Sequence, residues 1–229
     1  LKTRQGCNSK MMKTFDLPKS TELSRSIPKN AFDKYINTKQ KKEMTDFIKR
    51  MTWINKLSTQ TTNLPSKVIT EIQVFLIELK IKNDISTILE LINRAIPYHI
   101  VFVLKYEKEQ LISTVIKHNH PQKLNESVVD CTFKTDWFEA ANNPVNIVLR
   151  ESLDWTFIHL CSQITGRKPT QNTYSDFVSL ELEIKNLEAK ISGLERQMQR
   201  EKQFNKKVEL NMALLKLREA LNNTFQNFI

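Results

Sequence analysis

Two charged residues interrupt an otherwise apolar stretch. Val68 to Lys80 is rich in β-branched and apolar residues, is bounded by turn signals, and carries Glu78 and Lys80 at its C-terminal end. Side chains alternate between faces along a strand, so Ile72, Val74, Leu76, Glu78 and Lys80 share one face. A carboxylate and an ammonium emerging together there are half of a metal-dependent phosphodiesterase site. The carboxylate would hold Mg²⁺, and the ammonium would stabilise the attacking water or the charged transition state. The second carboxylate that such chemistry needs is missing. Between Trp53 and Thr70 there is no Asp or Glu; Asn55 and Asn63 offer oxygens without charge. Glu71 falls on the opposite strand face, and Glu43 and Asp46 precede it on a segment of helical pattern. The plain alternative is a solvated strand end whose two charges pair across it.

Other chemistry is sparse. With 3 Gly in the chain, neither a GxGxxG nor a GxxxxGK[ST] phosphate loop can be written. Cys7, Cys131 and Cys161 are widely separated and lack CxxC spacing, which fits a reducing cytoplasm and no structural zinc. His118 and His120, followed by Pro121, read as a turn more readily than as a metal pair. No resident cofactor is expected, Mg²⁺ entering only with the nuclease alternative. Trp53, Tyr98, Trp137 and Trp155 sit in apolar patterns and read as core, Trp137 being the one expected nearest the surface.

Charge points to a partner. The chain carries +10, and residues 1–56 hold 14 Lys/Arg against 5 Asp/Glu. Lys29, Lys39, Lys41, Lys42, Lys49 and Arg50 are candidate contacts to a polyanion, DNA above all. A Lys excess without Arg clustering equally suits a solvated face. No apolar run approaches the roughly 18 residues of a membrane span.

The elements that position these residues read as follows. Residues 1–29 form an irregular basic arm, with 1–10 a leader. A compact domain fills 30–165. Asn30 to about Trp53 shows three- and four-residue apolar steps, predicting one or two amphipathic helices capped by Asn30. Residues 58–66 are a loop before the Val68–Lys80 strand. Asn83-Asp84 cap a helix that buries Ile85, Ile88, Leu89, Leu91 and Ile92 and ends at Pro97. Tyr98–Leu104 is a second central strand, parallel to the first because a helix joins them. Gln110–Ile116 returns as a hairpin, Val128–Phe133 adds a strand, and Asn146–Thr165 is a helix stopped by Gly166. The fold class is α/β, with α+β as its variant: a small mixed sheet with flanking helices, compatible with a restriction-endonuclease-like core.

After a linker at 166–175, residues 176–226 read as one long helix of about 75 Å. Leu180, Ile184, Leu187, Ile191, Leu194 and Met198 follow a 4,3,4,3,4 step, the a/d seam of a coiled coil. Glu201 and Asn205 break the seam before it resumes at Val208, Met212 and Leu215. The break fixes register or marks a bend where the helix folds back. A helix of this length needs a partner helix, from a second copy or from another protein.

The stretches Leu17–Glu22, Ile27–Lys29, Trp53–Ser58, Glu71–Lys80, Ile96–Tyr98 and Glu201–Asn211 resemble a bacterial group, domain-of-unknown-function family 4391, along nearly the whole chain from Met11. The resemblance brings no catalytic residues. It implies a genomic setting beside DNA methyltransferases and helicases of restriction-like loci. Together these readings favour a non-enzymatic accessory subunit of a DNA-modification or anti-phage defence complex. Its basic head would contact DNA, a methyltransferase or a helicase, and its C-terminal helix would mediate oligomerisation. The alternatives are a nuclease using Glu78 and Lys80, and a pure protein-interaction module.

Overall fold

In the computed structural model, which describes residues 14–122, 126–167 and 173–226, the chain folds as a mixed α/β head with a helical hairpin. The expected leader at 1–10 and residues 168–172 of the linker lie outside the described residues.

A seven-stranded sheet organises the head. Its strands are β1 (Glu22–Ile27), β2 (Ile48–Ser58), β3 (Glu71–Leu79), β4 (His99–Tyr106), β5 (Glu109–Asn119) and β6 (Ser127–Lys134), adjacent in chain order, with β7 (Phe138–Glu139) pairing with β5. Among the described residues only β3 and β4 pair in parallel; the other pairs are antiparallel. Helix α1 (Thr38–Phe47) precedes β2, α2 (Thr59–Thr62) follows it, and α3 (Ser86–Ala95) makes the crossover from β3 to β4. Helix α4 (Leu153–Thr165) closes the head.

The near-continuous apolar run of β3 is explained by burial on both faces. Phe75, Ile77 and Leu79 meet Met44 of α1 and Ile88 and Ile92 of α3. Ile72, Val74 and Leu76 meet Phe157 and Leu160 of α4 and Phe177 beyond it. Asp154, buried at the start of α4, accepts hydrogen bonds from the backbone N–H groups of Lys67, Val68 and Ile69 at 2.8, 2.9 and 3.2 Å, anchoring the approach to β3. The β3–α3–β4 unit, the β4–β5 hairpin and β6 lie where the sequence places them, but the N-cap of α3 is Ile85 rather than Asn83-Asp84, and Asp84 instead accepts from Ser86 N–H at 3.0 Å.

Several boundaries move. The arm expected to be irregular at 1–29 contains a 3₁₀ turn at Lys19–Thr21 and strand β1, which pairs with β2, and the expected loop at 58–66 contains α2. The helical reading of Asn30–Trp53 holds only for α1; Lys29–Phe32 is a 3₁₀ turn, and Ile48 onward is strand. Asn37, not Asn30, caps α1: its side chain accepts from Gln40 N–H while Gln40 reaches back to the Asn37 N–H. The false helical spacing through Met51 and Trp53 has a structural cause. Strand β2 carries bulges between Ile48 and Arg50 and between Trp53 and Asn55, which break its period of two. Helix α4 begins after Ser152, whose hydroxyl accepts from Trp155 N–H, rather than at Asn146; Val145 and Ile147 enter the core from irregular chain. Gly166 ends the helix at φ +67°, as its residue type implies.

The expected single C-terminal helix is two: α5 (Tyr174–Arg200) and α6 (Phe204–Gln226), folded back into a hairpin at residues 201–203.

Candidate functional site

Glu78 and Lys80 part company at the end of β3. Glu78 lies on the α4 side of the sheet, in register with Arg50 on β2 and Lys105 on β4. Arg50 and Lys105 thus neighbour Glu78 in the strand register, but neither forms an ion pair with it, and Arg50 Nε donates to Thr52 Oγ1 instead. Lys80 turns to the other side, where its Nζ donates to the Thr45 carbonyl of α1 at 2.8 Å. Among the described residues no group of three or more His, Cys, Asp or Glu is placed to hold a metal ion. Two basic residues and no second carboxylate in the register of Glu78 make a poor setting for Mg²⁺.

The six candidate polyanion contacts fall into three sorts. Lys29 donates to the Ile48 carbonyl at 2.5 Å, and burial lowers its pKa. Lys41 pairs with Asp33 at 2.6 Å, Lys39 approaches Glu43 at 3.9 Å, and Arg50 Nε donates to Thr52 Oγ1. Lys42 and Lys49 are exposed and make no ion pair among the described residues. Of the aromatic side chains, Trp53, Trp137 and Trp155 are half-buried, Lys82 covering the Trp137 ring, whereas Tyr98 is exposed rather than core.

Two bases are buried near one another. His99 Nε2 is hydrogen-bonded to the Tyr174 hydroxyl at 2.8 Å, tying the start of β4 to the first turn of α5. Burial, with Lys117 adding repulsion, lowers the His99 pKa to about 3. Lys117 donates to the carbonyls of Asn93 and Ile96 at the C-terminus of α3, at 2.9 and 2.6 Å, and burial lowers its pKa to about 7. Both roles are structural. Lys117 satisfies carbonyls that the end of α3 leaves open.

A groove of about 1010 Å³ runs along β6 between α5, the end of α4 and Phe225 of α6. Its wall contains the ion pair of Arg167 and the buried Glu181, at 2.9 Å, and the Arg167 guanidinium also covers the Phe225 ring. Lys185 Nζ donates to the Asp130 carbonyl of β6. These contacts, with the stacked rings of Phe133 and Phe177, seat the hairpin on the head.

The seam residues divide at the turn. In α5, Ile184 is buried and Leu180, Leu187, Ile191, Leu194 and Met198 are half-buried, so this seam faces inward. In α6 the expected continuation does not. Val208, Met212 and Leu215 are exposed at 43%, 58% and 56%, and Phe204 joins them at 77%. The inward face is instead Leu210, Leu214, Leu217 and Leu221, with Leu214 only 2% exposed. The turn resets the helical phase, so continuing the α5 heptad across it selects the wrong face. The 4,3,4 spacing of those four leucines carried the correct signal. Glu201 is the device that breaks the helix: its backbone ends α5, and its carboxylate accepts from the N–H groups of Lys202 and Gln203 at 2.8 and 2.9 Å. These bonds lower its pKa. Asn205 falls within the first turn of α6 and is exposed.

The stripe Phe204, Val208, Met212, Leu215 lies between the turn and the ion pair that Arg218 of α6 makes with Glu195 of α5, at 2.8 Å. That stretch is beyond Glu188, the last α5 residue lining the groove against the head. The stripe therefore occupies the outer face of the distal arm. Among the described residues no helix is long and apolar enough to cross a membrane.

No curated protein and no solved structure matches the chain. A family model does, over residues 15–221, and the chain belongs to that family, a domain of unknown function, DUF4391.

Proposed function

We propose that this protein is a non-enzymatic accessory subunit of a bacterial DNA-modification or anti-phage defence complex. The hairpin arm assembles the complex, and the basic head contacts DNA or a partner enzyme. The observation that carries the reading is the apolar stripe on α6. Four large apolar side chains, one on nearly every turn, face solvent on a helix whose other face is already packed. A continuous stripe of this kind is a surface for another helix rather than scattered surface hydrophobicity. For the head, Lys42 and Lys49 are the two of the six candidate contacts that are exposed and form no ion pair among the described residues. The nuclease reading finds less support, since Glu78 is flanked by basic residues in the strand register and Lys80 is held by α1.

The assembly claim is tested on the native complex. The chain, tagged on the head and expressed in its own cell, is purified and its composition measured by native mass spectrometry. Phe204→Glu with Met212→Glu is expected to remove the stoichiometric partner, second copies included, while far-UV circular dichroism and the unfolding midpoint stay unchanged. Identical composition for wild type and variant would contradict the reading.

A further inference from the structure

The occupant of the α6 stripe follows from its charges and from the bulk of the head, given the reading of α6 as an assembly surface. We infer that it is a second copy of this chain, with the two α6 helices packed antiparallel and the two hairpins forming a four-helix bundle.

Orientation is a steric matter. Packed helices lie about 8–10 Å apart, whereas a head of this size has a radius of gyration of about 15 Å. The stripe begins close beyond the head, because Arg218 is tied to Glu195 and the C-terminal end of α6 returns to Arg167. In a parallel pair both heads would crowd the same end of the bundle. In an antiparallel pair each head lies past the tip of the other arm.

The stripe is self-complementary in that orientation. Centred between Val208 and Met212, it sets Phe204 opposite Leu215 of the second copy and Val208 opposite Met212 of the second copy. On one flank of the stripe, a helical projection of α6 places Glu209 and Lys216 on the same side. In an antiparallel pair like flanks meet, so Glu209 and Lys216 of the second copy share a side, offset by about 7.5 Å along the axis and bridged diagonally by their long side chains, twice by symmetry. On the other flank stand Lys207 and Arg218, which would repel their counterparts. The Arg218 charge is already matched by Glu195 of its own arm. The copies therefore meet with opposite charge on one flank and reduced repulsion on the other.

Light scattering and directed disulfide formation on the full chain test this. The wild type is expected to be a dimer, and Phe204→Glu with Met212→Glu a monomer. Glu209→Lys is expected to weaken the dimer roughly tenfold, and adding Lys216→Glu to restore it. In a Cys7→Ser background, mixing Phe204→Cys and Leu215→Cys chains should give the mixed disulfide. Phe204→Cys alone should give none, because its two sulfurs would be about 16 Å apart along the bundle. Efficient Phe204→Cys homodimers would overturn the antiparallel arrangement. A wild type monomeric at high micromolar concentration would overturn the second copy as occupant. If the Phe204→Glu, Met212→Glu variant then still loses a different stoichiometric protein from the native complex, the assembly reading survives that failure. A dimer indifferent to these substitutions also overturns the second copy as occupant, and the assembly reading falls with it only if the variant's native complex keeps the wild-type composition.

Discussion

His99 and Lys117 are two bases that the head keeps out of water, and each ties stability to pH. The folded-state pKa of His99 is depressed to about 3 from an ordinary 6.5, so the unfolded chain binds more protons between those values. Stability is then present above pH 6.5 and falls as pH drops toward 3. Lys117 follows the same sign in a higher window: with its pKa lowered from 10.5 to about 7, stability rises between pH 7 and 10. Urea midpoints across that range should climb in the wild type and climb less in Lys117→Met; equal slopes would remove Lys117 as the cause. Asp154 is a residue of another kind. Asp154→Ala leaves three backbone N–H groups without their carboxylate, and a loss of about 3 kcal/mol is expected in chemical denaturation. The charged residues also show where sequence reading stops. Spacing puts Glu78 and Lys80 on one face, but β3 ends at Leu79, so alternation does not extend to Lys80, whose Nζ reaches the Thr45 carbonyl on the other side. Addition of Mg²⁺ to the purified chain is expected to produce no duplex cleavage. Cleavage abolished by Glu78→Ala would restore the nuclease reading.

Among the elements, those built on one dominant signal were legible. Strand β3 announced itself by a β-branched run, α3 by its five-residue buried stripe, and β4 by the crossover that must follow. Strand β2 was not legible, because its two bulges replace alternation with steps of three that mimic a helix. The start of α4 was missed for a related reason: Val145 and Ile147 are apolar and buried without being helical. The edges of the sheet carry their own protection. In β1, Ser24 sits at φ +56° in a bulge beside the exposed Arg25, and β6 has a bulge near Asp130, whose carbonyl Lys185 occupies. Both features discourage sheet-to-sheet pairing. At the end of α4, Gly166→Ala should cost about 1 kcal/mol through its left-handed backbone alone, since nothing stands near the added methyl group.

For the whole molecule, the long C-terminal helix expected from periodicity becomes a hairpin that supplies its own first partner. The polar break at Glu201 is where that happens, one of the two outcomes the interrupted seam allowed. What periodicity could not show is which face remains, because phase is lost wherever helical backbone is lost. The +10 charge belongs to the head and its N-terminal side, not to the arm, whose segment from residue 171 carries 9 basic against 8 acidic residues. Assembly through the arm and polyanion contact through the head are thus separable. Lys42→Glu with Lys49→Glu should weaken DNA binding and lower the salt dependence of affinity by about 2 in log–log slope, without changing the oligomeric state. A slope that does not change would place the DNA contact elsewhere.

The central claim is that the outer face of α6 is covered in the assembled protein. Hydroxyl-radical footprinting reports this at the side chains concerned. With the native complex compared against the dissociated chain, Phe204 and Met212 should be strongly protected from oxidation in the complex, while exposed Tyr98 on the head serves as reference. Oxidation of Phe204 and Met212 at the same rate in both states would contradict the account.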